Sequence, residues 1–122
     1  MNGAVLIVDD EAAFREHARR LLGMRGLRVV GEAGDGAEAV RVARELQPGG
    51  VLLDVNLPDF SGLEVARQLR LLPSSPRVVL TSADAYVSDD DVLRCGATAF
   101  LPKDFLPRSD LLALLGSGNG DP

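Results

Sequence analysis

At 122 residues with 46% hydrophobic side chains, the chain makes one ordinary domain, large enough to bury most of the surface its unfolded form exposes and too small for a second. A net charge of −5 argues against non-specific binding of nucleic acid or an anionic membrane by this chain alone, because phosphates are held by clustered Lys and Arg. The single cysteine, Cys95, excludes an internal disulfide and a multi-cysteine metal site and suits a reducing compartment.

The opening residues, MNGAVLIVDD, carry neither a basic leader nor an apolar run of secretory length, and nowhere do about 18 apolar residues follow one another, so a cytoplasmic chain with no membrane span is expected. AVLIV (4–8) reads as a first strand and runs straight into Asp9 and Asp10. Phe14, Ala18, Leu21 and Leu22 then recur at helical spacing on one face. LRVVGEA (27–33) reads as a second strand, and Ala39, Val40, Ala43 and Leu46 mark a second helix. VLL (51–53) is a third strand, ended by Asp54. Ser61, with Glu64 three residues on, predicts a capped third helix running to about Leu72, ahead of Pro73.

RVVL (77–80) is a fourth strand, closed by Thr81 and Ser82. Ser88 followed by Asp91 predicts a fourth helix of only about two turns, its first turn rich in aspartate as the helix dipole favours. ATAFL (97–101) is a fifth strand leading to Lys103, and a fifth helix is expected from near Pro107, carrying Leu111, Leu112, Leu114 and Leu115. The last residues, GSGNGDP, offer nothing apolar to pack, which predicts a domain over 1–116 and a flexible tail or the start of a linker over 117–122.

Strand and helix alternate five times, and near-continuous apolar strands imply a parallel sheet covered on both faces: a doubly wound α/β fold. Ligands of such sheets bind beyond the carboxyl ends of the strands. The residues at those ends are Asp9, Asp10, Asp54, Thr81, Ser82 and Lys103. One such residue would read as a helix cap, but three carboxylates at one edge repel unless a cation sits among them. Hard oxygen donors with room for water suit Mg²⁺, while Lys103 and Thr81 supply the charge and the hydroxyl that hold a phosphoryl oxygen. The set fits metal-assisted phosphoryl transfer to a carboxylate, with Asp54 as nucleophile. His17, within FREHARRLL, reads as a partly exposed helix residue, and GEAGDGAEA does not spell a dinucleotide-binding or P-loop motif.

The acidic pair Asp9-Asp10, the stretch DVNLPDFSG (54–62) with Pro58 and Gly62, Thr81 after the fourth strand and Lys103 after GATAFLP closely resemble the receiver domain of bacterial two-component response regulators. The resemblance spans about residues 3–115. It implies a flavodoxin-like (βα)5 fold with a five-stranded parallel sheet in order 2-1-3-4-5. It further implies a sensor histidine kinase as phosphoryl donor and Asp54 as acceptor. Mg²⁺ would be held by Asp9, Asp10, Asp54 and the backbone carbonyl of Asn56. Thr81 and Lys103 would bind phosphoryl oxygens, with Thr81 and Phe100 as the switch pair. The face of the fourth helix, fifth strand and fifth helix would carry output and possible homodimerisation. VVGEAGDGAEAVRVAREL and LPKD look most like receivers that precede LuxR-type DNA-binding domains, so control of transcription through a domain outside this chain is implied.

Three departures stand out. Asp104 follows Lys103 where the family usually has proline, Phe100 lacks the hydroxyl of the commoner tyrosine, and the fourth helix is short. Two alternatives stay open: a pseudo-receiver that acts as a phosphorylation-independent interaction module, and a Mg²⁺-dependent phosphatase of external substrates. A receiver would catalyse only its own phosphorylation and dephosphorylation.

Overall fold

The computed structural model describes residues 3–116. The strands are β1 (Ala4–Val8), β2 (Arg28–Ala33), β3 (Gly50–Asp54), β4 (Arg77–Ser82) and β5 (Ala99–Pro102), all parallel in the order β2-β1-β3-β4-β5. Between them run α1 (Ala12–Met24), α2 (Gly36–Leu46), α3 (Gly62–Arg70) and α4 (Asp89–Cys95). The expected fold and strand order are both present. The expected tail over 117–122 lies outside the described residues.

The sheet is buried on both faces because alternate residues serve two cores. Leu6, Val8, Val51, Leu53, Val78 and Leu80 pack with Ala39, Ala43, Val65 and Leu69 of α2 and α3. Val5, Ile7, Leu52 and Val79 pack on the other side with Ala18, Leu21 and Leu22 of α1 and with Leu106, Leu111 and Leu115. β3, the central strand, is buried at all five positions. Strand order reverses between β1 and β3, which opens a crevice beyond their carboxyl ends. Among the described residues no helix is long and apolar enough to cross a membrane.

Helix starts follow their caps. The Asp35 carboxylate accepts from Glu38 N at 2.8 Å, and the Ser88 hydroxyl from Asp91 N at 3.1 Å; α4, at 7 residues, is as short as expected. At α3 only half of the expected capping box forms. Ser61 Oγ accepts from Leu63 N at 3.1 Å, while Glu64 turns outward to Arg67, and the helix stops at Arg70 rather than Leu72.

The fifth helix is a correction. Instead of one helix from Pro107, residues Lys103–Arg108 form a 3-10 turn, Ser109 is extended, and Leu112–Gly116 make a wide π-type turn. Pro107 has no N–H to donate, and the Ser109 hydroxyl bonds back to the Phe105 carbonyl at 2.8 Å, so the chain breaks where an α-helix would need to propagate. Arg25 at the end of α1 ties this segment down by donating to the carbonyls of Ser109 and Pro107. The start of the fifth strand also differs, at Ala99 rather than residue 97. Gly96, at φ 81°, closes α4, and Ala97 N still donates to Val92 O of that helix.

Candidate functional site

Sheet register assembles the site. Leu53 pairs with Val8, so Asp9 comes level with Asp54; Asp54 pairs with Thr81; Ser82 pairs with Pro102, one residue before Lys103. Asp9 is fully buried and Asp54 is 6% exposed, whereas Asp10 lies open to solvent. Asp9, Asp10 and Asp54 each offer a carboxylate oxygen, all within 4.8 Å of one another.

Lys103 closes the site from the β5 side. Its Nζ lies 2.7 Å from Asp9 Oδ2, 3.7 Å from Asp54 Oδ2 and 3.9 Å from Glu11 Oε1. The same ammonium sits 4.0 Å from the centre of the Phe14 ring, a cation–π contact on its remaining side. Burial pushes the Asp54 carboxyl up to about 6, with the Asp9 charge adding to the rise and the Asn56 N–H and Lys103 opposing it. Burial disfavours the Lys103 ammonium, but its hydrogen bond to Asp9 and the charges of Asp9, Asp54 and Glu11 outweigh that and hold its pKa above the usual lysine value. One lysine is therefore too little positive charge for this edge, and the hard oxygen donors fit a small divalent cation.

The loop after β3 is fixed on both sides. Val55 N donates to Thr81 O at 2.9 Å, and Asn56 N to Asp54 Oδ1 at 3.1 Å. The Asn56 side-chain amide reaches Asp84 Oδ1 at 3.2 Å and Ser82 Oγ at 3.3 Å, a hydroxyl that also accepts from Ala85 N at 2.9 Å. A Cβ on Gly62 would stand 2.5 Å from the Asp54 carbonyl oxygen, so only glycine lets α3 begin against the end of β3. The Thr81 hydroxyl donates to the Leu101 carbonyl at 2.7 Å and so is turned toward β5 rather than toward Asp54.

A family model described as the response regulator receiver domain matches residues 5–115. The chain belongs to the response regulator receiver family. Its relatives include the nitrate/nitrite response regulator protein NarL of Escherichia coli, 34% identical over 96% of this chain and 55% of that protein. The signal receiver domain of the response regulator NarL from Mycobacterium tuberculosis is 34% identical with a TM-score of 0.77, covering 91% of this chain and 94% of that one. A LuxR-family two-component response regulator from Aurantimonas sp. is 31% identical with a TM-score of 0.80, covering 90% and 80%. The chain spans about half the length of the curated relatives it matches. Its likeness is thus to receivers of the NarL and LuxR type.

In this receiver every residue expected at the site lies at the carboxyl edge of the sheet or, for Phe100, on the strand behind it. Asp9, Asp10 and Asp54 make an acidic cluster of the kind at which receiver domains bind Mg²⁺. Phe100 is half-buried on β5 and meets Tyr86 edge to face, ring centres 6.4 Å apart. The two rings line an apolar groove of about 720 Å³ between α4 and β5, together with exposed Leu93 and Phe105. Glu11, Phe14, Ser82 and Asp84 were not assigned roles from sequence. Glu11 directly follows the acidic pair, a visible signal; the Phe14 contact depends on the pitch of α1 and leaves none.

Proposed function

We propose that the protein is a phosphorylation-controlled switch of the cytoplasm, with residues 1–116 as the receiver unit and Asp54 as phosphoacceptor. The observation that carries this reading is the Asp9, Asp10 and Asp54 cluster within 4.8 Å, faced by the Lys103 ammonium at the end of a buried sheet. A phosphohistidine of a sensor histidine kinase is the donor. An Asp54 oxygen attacks phosphorus in line, the P–O bond forms as the P–N bond breaks, and the imidazole leaves with that electron pair and takes a proton from water.

Asp9, Asp10, Asp54 and the Asn56 backbone carbonyl would hold Mg²⁺, which supplies neutralisation of the charge on the phosphoryl oxygens. Lys103, with Nζ 2.7 Å from Asp9 Oδ2 and 3.7 Å from Asp54 Oδ2, exchanges its contact with Asp9 for one with a phosphoryl oxygen on Asp54. The Thr81 hydroxyl, a single donor, must leave the Leu101 carbonyl to reach the phosphoryl group. That move vacates space beside Phe100, and the ring turns inward by apolar burial alone, having no hydroxyl to pair. The groove at α4 and β5 then changes shape, which is the output to a partner or a second copy. In the longer protein the output is transcription control through a DNA-binding domain. The phosphoryl group comes to rest on the chain's own Asp54, so the chain promotes only its own phosphorylation and dephosphorylation and acts as a switch rather than an enzyme.

Incubation with acetyl phosphate and Mg²⁺ is expected to add one phosphoryl group by intact mass, and none on Asp54→Asn. No adduct on the wild type, or an undiminished one on Asp54→Asn, would sink the assignment; the former is the outcome of a phosphorylation-independent module.

A further inference from the structure

The loop from β3 to α3 is gripped by a carboxylate that stands outside the acidic cluster of the acceptor site. Asp59 Oδ1 accepts from Gly36 N at 2.7 Å and from Phe60 N at 2.8 Å, and Oδ2 accepts from Ala37 N at 3.0 Å. Gly36 and Ala37 open α2, in a different part of the chain. That helix already has its own cap, since the Asp35 carboxylate takes Glu38 N. A second carboxylate on the same turn therefore serves the loop that brings it. Gly36 points the same way: a Cβ there would meet Val65 Cγ2 at 2.9 Å, the Phe60 ring at 3.0 Å and Asp59 Oδ1 at 3.1 Å, so a side chain at that position would force these groups to shift. Desolvation opposes the charge, yet the N–H groups of Gly36, Ala37 and Phe60 hold the Asp59 carboxyl below its usual range.

We infer that Asp59 is a positioning residue for phosphoryl transfer: it clamps residues 55–61 to the first turn of α2 and so fixes the backbone that follows Asp54, including the Asn56 carbonyl. The inference rests on the phosphoacceptor reading above. The other holds lie at the base of the loop: the bridge between Asn56 and Ser61 and the bond from Gly62 N to Val55 O at 2.7 Å join its two ends, while Val55 N and the Asn56 amide tie the β3 end to Thr81, Ser82 and Asp84. Asp59 adds a hold at the outer tip, against α2, and so fixes the tip as well as the base. A site held in place before the ligand arrives loses less on binding than one that must be ordered then.

Three variants separate this role from plain stability. Asp59→Ala removes the clamp, Asp59→Asn keeps one acceptor oxygen, and Ala37→Pro removes one donor from the helix side without touching the loop. Proline is tolerated in a first helical turn, where the N–H has no intrahelical partner. Each is titrated with MgCl2 by calorimetry, phosphorylated with acetyl phosphate and melted without metal. Asp59→Ala is expected to weaken Mg²⁺ binding and slow phosphorylation by about fivefold, the equivalent of one lost hydrogen bond. Asp59→Asn and Ala37→Pro should fall between it and the wild type, and combining Ala37→Pro with Asp59→Ala should cost nothing further. A lowered melting temperature with unchanged Mg²⁺ affinity and phosphorylation rate would overturn the inference and leave Asp59 a stabilising contact only. A wild type that binds Mg²⁺ but takes no phosphoryl group would instead sink the acceptor reading, and the Mg²⁺ affinities alone would then decide for or against the clamp. A wild type that binds neither overturns both.

Discussion

Asp54 is held in a state it would not choose alone. Burial pushes its carboxyl up to about 6 in the metal-free protein, while in the unfolded chain it titrates near the usual aspartate value of about 3.9. The native form therefore keeps its proton longer, and stability falls as pH rises from about 4 to about 6, with the penalty fully present above that window. Asparagine has the same shape and no charge, so Asp54→Asn should be more stable than the wild type at pH 8 in EDTA by roughly 1–2 kcal/mol, discounted for the partial compensation by Lys103. Urea unfolding at a series of pH values checks the sign: the gap should close as pH falls below about 4, where both folded and unfolded wild type carry the proton. A gap that persists or widens in acid would mean that the variant gains its stability from packing and not from relief of a strained charge. The same strain makes the carboxylate available to an incoming cation or phosphorus, since the charge it must hold is poorly satisfied by its own protein.

Elements were legible where burial on two faces left one solution. AVLIV and VLL have no polar face to show, so only interior strands of a parallel sheet fit them, and they are β1 and the middle of β3. Ser88 fixes the start of α4 through a single hydroxyl, and Gly96 ends it. The C-terminal segment was not legible, because four leucines within five residues (111–115) promise an apolar face while Pro107, Ser109 and Asp110 decide the backbone that carries them. What replaces α-helical hydrogen bonding there is Arg25, whose guanidinium donates to two carbonyls of the segment. Arg25→Ala should therefore cost about 1–2 kcal/mol, the range for hydrogen bonds from a charged donor at a half-exposed site. Hydrogen exchange read by peptide should show residues 103–110 opening first, with β1 and β3 unaffected. Uniform acceleration across the chain would show that the segment is held by Leu106, Leu111 and Leu115 and not by the arginine.

Across the whole molecule, sheet topology converts positions scattered over some ninety-five residues of sequence, from Asp9 to Lys103, into one site. That conversion made the site readable, because parallel strands all end at the same edge. What could not be read is orientation: which way the Thr81 hydroxyl turns, which carboxylate Lys103 prefers, and that Asp59 reaches across to α2, all of which follow from loop paths rather than spacing. The collected charge gives the fold a shared dependence on cation and proton. A metal that binds only the native pocket stabilises the protein by mass action, about 1.4 kcal/mol at ten times its dissociation constant. At pH 8, MgCl2 at that excess should raise the melting temperature by about 5 °C, and NaCl of equal ionic strength should not. Asp10→Ala removes one donor from an exposed position and leaves the core intact, so it should lose most of the rise without lowering the metal-free melting temperature. The rise should also fade below about pH 6, because the metal must displace a proton from Asp54, whose carboxyl stands at about 6. A rise of equal size in Asp10→Ala, or one that survives at pH 5, would place the cation elsewhere on this acidic surface and detach it from the carboxylate cluster.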